Sequence, residues 1–198
     1  MMRPLIFVWP YALGFWLLWA LVVVPEIVLE RRAAKVAKAH RAQDRGSVTL
    51  LHATGDSAFW LALAAAIFVP GATMAVGRDI VFVVGLLMLA VGGLLRQHCF
   101  RMLGPYFTGT VVVKPGQPVV QRGAYRWVRH PSYTGAMVLM IGAGLALTNW
   151  LSVGIQAFLP AVGYVFRVRA EERALSETLG EPYRAYMERT KRFLPFVS

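Results

Sequence analysis

The sequence predicts an all-α polytopic membrane protein with about five transmembrane helices, the last two a hairpin, and with a cytoplasmic loop and C-terminal helices. Hydrophobic residues make up 57% of the 198 residues and charged residues only 16%, unlike an average soluble domain. The 21 Lys and Arg outnumber the 10 Asp and Glu, so this charge must be segregated from the apolar segments. These observations exclude a soluble globule and a disordered chain. The single cysteine, Cys99, permits neither an internal disulfide nor a cysteine-based zinc site.

The first predicted helix lies between Arg3 and Glu26, where 22 consecutive residues carry no charge. A helix of about 20 apolar residues spans a bilayer. The dense aromatic residues and the lack of a small-residue cleavage site favour a retained helix over a signal peptide. An Ala-rich basic segment follows, and we expect it to extend this helix to Gly46.

The second and third predicted helices occupy two further uncharged runs. One run of 21 residues separates Asp56 from Arg78, and one of 16 separates Asp79 from Arg96. The shorter run reaches membrane length only if its helix continues past Arg96.

The hairpin is predicted from residues 130–166, which form an uncharged run of 37 residues. Asn149 and Trp150 interrupt this run near its middle, as expected for a turn between two helices. Each arm of about 16 residues is roughly 24 Å long, slightly short of the ~30 Å hydrocarbon core.

The basic residues predict the orientation of the chain. With five crossings, 19 of the 21 Lys and Arg fall on one side, and only Arg3 and Arg78 fall on the other. Basic loops stay cytoplasmic, so we expect the N-terminus outside and the C-terminus in the cytoplasm. Such residues attract anionic membrane lipids, and no nucleic-acid-binding module is visible.

The cytoplasmic segment of residues 101–129 is too rich in Gly and Pro for a long helix. Its valines on either side of residues 114–118 are expected to form a short hairpin or to lie on the membrane surface. Irregular backbone beside a bilayer is tolerated where it lines a cavity, which favours a binding site.

The last segment, from Arg167 onward, is expected to be a helix that ends at Gly180, with a short helix restarting at Glu181. Glu171 and Glu172 stand at helical spacing from arginines, and surface ion pairing is one account of them.

Most recognisable catalytic motifs are missing. The four histidines lack the spacing of a helical zinc site, and no nucleophile elbow, P-loop or dinucleotide-binding glycine motif is present. What remains is the segment of residues 123–135, GAYRWVRHPSYTG, just before the fourth helix. Its side chains and the free N–H groups of the helix start suit a polar or anionic ligand. The same residues also fit an interfacial anchor of Arg, Trp and Tyr.

Three features together resemble the isoprenylcysteine carboxyl methyltransferase and phospholipid methyltransferase family of integral membrane enzymes. They are the run RHPSYTG, the adjacent glutamates Glu171 and Glu172, and the tail LGEPYRAYMERTKRFLP. The resemblance covers residues 94–195, about half of the chain. Ala124 and Ser132 depart from the Pro and Met expected of the family, which leaves the preferred acceptor open.

The resemblance implies methyl transfer from S-adenosylmethionine to a lipophilic or lipidated acceptor in the membrane. It implies one domain of residues 1–198, with membrane helices in 1–93 and the catalytic, cofactor-binding part in 94–198. It places these residues around the cofactor: Gly123, Tyr125, His130, Pro131, Tyr133, Gly135, Glu171 and Glu172. Of the two glutamates, Glu172 is favoured to accept hydrogen bonds from the cofactor's ammonium group.

The resemblance leaves the chemistry of the acceptor open. An isoprenylcysteine carboxylate is already nucleophilic and needs only to be oriented, for which Arg129, Arg189 and Arg192 are candidates. A phospholipid amine or a lipid phenol must lose a proton, for which Glu171, Glu172 or His130 would serve. Two further hypotheses are an NADPH-dependent sterol reductase, since those enzymes have a similar R-H-P-x-Y stretch, and a non-catalytic membrane protein.

Overall fold

The computed structural model describes residues 3–36, 46–113 and 116–193. Six α-helices lie in these ranges, joined by turns and short 3-10 helices. They are α1 Tyr11–Val36, α2 Ser47–Phe68, α3 Arg78–Leu103, α4 Pro131–Ala146, α5 Trp150–Leu179 and α6 Glu181–Arg189. The described residues contain isolated bridges but no strand. The predicted all-α class is confirmed.

Four of the helices, α1, α2, α3 and α5, are long and apolar enough to cross a membrane. The fifth apolar helix, α4, has 16 residues, the length predicted for a hairpin arm. Large hydrophobic side chains remain exposed along these helices, as expected where lipid replaces water. The chain is therefore an integral membrane protein built on a polytopic helical fold.

The second helix does not coincide with the uncharged run that predicted it. It begins at Ser47 and ends at Phe68, so Asp56 lies inside the helix. It stops there because Pro70 follows Val69, and the residue before a proline is disfavoured in the helical conformation. The predicted extension of α1 is described as far as Val36, and its remainder lies outside the described residues.

The α3–α4 contact depends on glycines. A Cβ on Gly92 would lie 2.5 Å from the Gly135 carbonyl oxygen, and a Cβ on Gly142 would lie 2.6 Å from the Leu89 backbone nitrogen. Small residues let membrane helices approach closely. The short distance fixes the start of α4, where the RHPSY run lies, against α3.

The predicted hairpin is confirmed. Its turn lies between Ala146 and Trp150, and the Asn149 side chain caps α5 by accepting a hydrogen bond from the Ser152 backbone nitrogen at 3.1 Å. Arg78 donates to the Arg3 carbonyl at 2.7 Å and to the Thr148 hydroxyl at 3.4 Å. The two basic residues that were predicted to lie apart from the others thus share the end of the molecule that holds this turn.

The loop before α4 packs inward. Val111 and Val113 are buried against α5, where they contact Ala174 and neighbouring apolar residues. The expectation that residues 111–113 form a hairpin or lie on the membrane surface is therefore wrong, because the apolar face of α5 offers these valines burial. Gly180 separates α5 from α6 with φ of 64°, so the predicted stop and restart at this position is confirmed.

Candidate active site

Two distant segments meet at the start of α4. The backbone nitrogen of Arg129 donates to the Lys191 carbonyl at 2.7 Å, and that of His130 donates to the Arg192 carbonyl at 2.9 Å. The Thr134 hydroxyl donates to the Phe193 carbonyl at 2.8 Å. The RHPSY run and the segment after α6 are thus held side by side.

Glu172 forms the charged centre of this junction. Its carboxylate accepts from Arg129 Nε at 2.9 Å and from Arg192 Nη2 at 2.9 Å, and it lies 3.2 Å from His130 Nε2. Arg129 also donates to the Met187 carbonyl at 2.8 Å. Because these partners come from outside α5, the surface ion-pair account of Glu172 is wrong.

Glu171 faces a different neighbourhood. It accepts a hydrogen bond of 2.5 Å from the Tyr133 hydroxyl, which in turn accepts from Arg167 Nε at 3.1 Å. The ring of His130 stacks on that of Tyr133 with centroids 5.5 Å apart. These four side chains connect the first turn of α4 to the C-terminal half of α5.

A cavity of about 760 Å³ joins these groups to the apolar helices. Its polar end is lined by Tyr125, His130, Tyr133 and Glu171, and its other end by Trp16, Trp19, Phe59 and Trp60 from α1 and α2. Trp60 is 65% exposed on the outer surface of the helices. The cavity therefore extends from the charged junction to the side of the molecule that faces lipid.

The predicted site residues fall into two groups. Five of them line the cavity: Tyr125, Arg129, His130, Tyr133 and Glu171. The cavity wall does not include Glu172, Arg192, Arg189, Gly123, Pro131 or Gly135. Arg189 is exposed and donates to the Ala185 carbonyl of its own helix at 3.1 Å, so it is not brought to the junction.

Of the predicted residues outside the cavity wall, Gly123, Pro131 and Gly135 shape the backbone next to it. Gly123 has φ of 60°, and a Cβ there would lie 2.8 Å from His98 Nε2. A Cβ on Gly135 would lie 2.9 Å from the Gly92 carbonyl oxygen. Pro131 is fully buried and is the first residue of α4, a position that tolerates its missing N–H.

Tyr125 is a neutral hydrogen-bonding group. Burial, followed by the nearby Cys99, raises the pKa of its phenol above the ordinary value. The Tyr186 hydroxyl donates to the Tyr125 carbonyl at 2.6 Å, and burial raises the pKa of Tyr186 to about 12. Both phenols therefore keep their protons at physiological pH.

The sequence reasoning missed six charged residues of the cavity wall, namely Glu26, Glu30, Arg31, Asp56, Arg96 and Arg167. Each was assigned to a helix end, to a solvated basic segment or to surface pairing. These residues could have been identified from a general rule: ionisable residues inside or next to membrane helices usually face an interior cavity and pair with each other.

Comparison with known proteins identifies the matching family. Residues 83–177 match the model of the isoprenylcysteine carboxyl methyltransferase family, a segment that includes the cavity-lining part of α3, α4 and most of α5. The resemblance inferred from the sequence motifs is confirmed. The match covers just under half of the chain.

Curated relatives of the family support this assignment. The chain is 29% identical over 116 residues to protein-S-isoprenylcysteine O-methyltransferase B of Arabidopsis thaliana, a match that covers 58% of this chain and 59% of the relative. It is 32% identical over 117 residues to the Saccharomyces cerevisiae protein-S-isoprenylcysteine O-methyltransferase, covering 58% and 49%. The human protein of that name is 35% identical over 119 residues, covering 58% and 41%. The matches thus span about half the length of these relatives.

A solved structure shows the same fold. The structure of the eukaryotic intramembrane Ras methyltransferase, an isoprenylcysteine carboxyl methyltransferase, superposes with a TM-score of 0.66 at 21% identity and covers 98% of this chain and 70% of that chain. The likeness therefore includes α1 and α2, which lie outside the matched family segment.

Proposed function

We propose that this protein transfers a methyl group from S-adenosylmethionine to a lipophilic acceptor in the membrane, preferentially the carboxylate of an isoprenylcysteine-like group. The observation that carries the proposal is the single cavity with a polar end at Tyr133 and Glu171 and an aromatic end at Trp16 and Trp60. Methyl transfer requires both reactants in one enclosed space with their reacting atoms about 3–3.5 Å apart. The match of residues 83–177 to the methyltransferase family supports the same reaction.

The polar end has the chemistry to hold the donor. The cavity volume of about 760 Å³ is typical of small-molecule sites. The Thr110 hydroxyl in its wall is buried and lacks a hydrogen-bond partner among the described residues, which leaves it available to a bound polar molecule. Bound S-adenosylmethionine would supply an electrophilic methyl group on a sulfonium.

We assign separate roles to the cofactor-site residues. Glu171 faces the cavity and would accept hydrogen bonds from the donor's ammonium group. Tyr125, His130 and Tyr133 would contact the nucleoside through ring stacking and hydrogen bonds. Glu172, which was favoured for the ammonium, would instead act through Arg129 and His130 by holding them in place.

The acceptor carboxylate needs orientation and exclusion of water rather than a base. Of the three arginines expected to orient it, Arg129 lines the cavity. We extend this role to Arg167, which lines the cavity and donates to Tyr133. Arg192 would support the site through Glu172, and we assign no role to Arg189.

The same proposal includes the placement of the chain in the membrane. We infer an external N-terminus and a cytoplasmic C-terminus, with the polar end of the cavity at the cytoplasmic face. Residues 94–198 would form the catalytic part, and the membrane helices of residues 1–93 would complete the acceptor end of the cavity.

The experiment is product analysis with purified protein in lipid nanodiscs and methyl-labelled S-adenosylmethionine. N-acetyl-S-farnesylcysteine, phosphatidylethanolamine and a prenylated phenol are offered separately, and products are identified by mass spectrometry. We expect a labelled methyl ester of the cysteine derivative, formed much more slowly in Glu171→Gln at limiting donor concentration and at the natural rate in the exposed control Glu188→Gln. Label confined to the amine or the phenol would refute carboxyl methylation, and no labelled product with any acceptor would refute the methyltransferase assignment.

A further inference from the structure

The N-terminal helix contributes two carboxylates to a buried ion cluster in the cavity wall. Glu26 and Glu30 lie one turn apart on α1, and both carboxylates bind Nη2 of Arg96 on α3. The Glu30 contact measures 3.2 Å, and the Arg96 side chain is only 6% exposed. All three residues line the cavity, although α1 lies outside the matched family segment of residues 83–177.

Arg96 connects this cluster to the candidate active site. Its Nη1 donates to the Ser132 carbonyl at 3.1 Å, next to Tyr133. Its guanidinium lies 5.0 Å from the centre of the Phe100 ring. A planar guanidinium held on two sides and stacked on a ring keeps a single orientation.

The two carboxylates outnumber the one guanidinium that they bind, so the cluster carries no net positive charge, although Arg96 Nε is buried without a hydrogen-bond partner among the described residues. Two carboxylates bind one guanidinium, whereas a buried cation without such partners would strongly attract any carboxylate in a medium of low dielectric constant. Transfer of a methyl cation to a carboxylate gives a neutral ester. Attraction beyond what the orienting contacts of Arg129 and Arg167 need is therefore lost on the way to the transition state, and this excess slows the reaction.

We infer that Glu26 and Glu30 are positioning residues that hold Arg96 in place and neutralise it, so that the acceptor carboxylate is not trapped as an ion pair. This inference rests on the proposed function, because it assumes a carboxylate acceptor. In this account α1 contributes two charged side chains that affect the reaction, in addition to the apolar wall formed by its tryptophans.

The kinetic test uses the isosteric variants Glu26→Gln and Glu30→Gln, with Glu188→Gln on the exposed face of α6 as the control. Loss of either cavity carboxylate should lower both KM for N-acetyl-S-farnesylcysteine and kcat, each by about fivefold, because ground-state binding of the carboxylate is strengthened. The Kd of S-adenosylhomocysteine should change less than twofold. A merely structural role would instead raise KM or lower the thermal stability, and either result without a fall in KM would overturn the inference.

A binding test separates this inference from the proposed function, because it needs no turnover. The affinities of N-acetyl-S-farnesylcysteine and of its methyl ester are compared in the natural protein and in the two glutamine variants. The preference for the free carboxylate over the ester should rise about fivefold in each variant. An unchanged preference, or no binding of either compound, would overturn the inference, whereas absence of ester product in the natural protein would overturn the proposed function alone.

Discussion

Glu171 and Glu172 are adjacent on α5 but should respond oppositely to the same substitution. Glu172 is buried and binds Arg129 and Arg192, whereas Glu171 accepts from Tyr133 and lines the cavity. Replacing each with glutamine removes a charge while keeping the shape. The pair therefore separates a role in stability from a role in ligand binding.

The loss in Glu172→Gln can be estimated from its contacts. Removing one partner of a buried ion pair costs about 3–5 kcal/mol. Arg192 is 55% exposed and regains water, and Arg129 keeps the Met187 carbonyl, so we expect the lower limit of about 3 kcal/mol. For a chain of this size that lowers Tm by roughly 6–12 °C.

Glu171→Gln should change the free energy of unfolding by less than about 1 kcal/mol, because the amide oxygen of the glutamine still accepts a hydrogen bond from the Tyr133 hydroxyl. It should weaken S-adenosylhomocysteine binding by about 10–100-fold, the value of one charge-assisted hydrogen bond of 1.5–3 kcal/mol. Thermal unfolding in detergent and titration calorimetry measure the two effects. A Tm shift in Glu172→Gln below about 2 °C, or binding in Glu171→Gln equal to that of the natural protein, would refute this division of roles.

Three further substitutions test other parts of the structure. Gly142→Ala places a methyl group 2.6 Å from the Leu89 backbone nitrogen and should cost about 1–3 kcal/mol of stability; an unchanged Tm would contradict the tight α3–α4 contact. Tyr133→Phe removes the hydroxyl between Arg167 and Glu171 and should weaken S-adenosylhomocysteine binding about tenfold, with calorimetry as the measurement. Trp19→Ala opens the aromatic end of the cavity. It should raise KM for a farnesyl acceptor more than KM for a short-chain acceptor. Equal increases for both acceptors would argue against lipid entry at this end.

Much of the fold could be predicted because the bilayer imposes a simple constraint. Uncharged runs of sufficient length must be helices there, so α1, α3 and the hairpin of α4 and α5 followed from charge positions alone. The start of α2 could not be predicted this way, because Asp56 faces the cavity and is tolerated inside a membrane helix. When a helix is predicted from an uncharged run, a charged residue such as Asp56 is placed at the helix end.

The candidate site was only partly predictable for a related reason. The RHPSY run and the two glutamates can be recognised in the sequence. Which of the two carboxylates faces the cavity depends on the rotation of α5 about its axis, which the sequence does not give. Arg129 and Arg192 bind Glu172 from segments 43 and 20 residues away, contacts that helical spacing on α5 does not reveal. Glu26 and Arg96 likewise meet only because α1 packs on α3.

The most direct test of a donor bound at the polar end of the cavity, beside Tyr133 and Glu171, is titration calorimetry of the purified protein with S-adenosylhomocysteine and, separately, with NADPH. We expect saturable binding of one S-adenosylhomocysteine per chain, weakened at least about tenfold in Glu171→Gln, and no heat with NADPH. Binding of NADPH in place of S-adenosylhomocysteine, or S-adenosylhomocysteine binding that is unaffected by loss of the Glu171 charge, would contradict it.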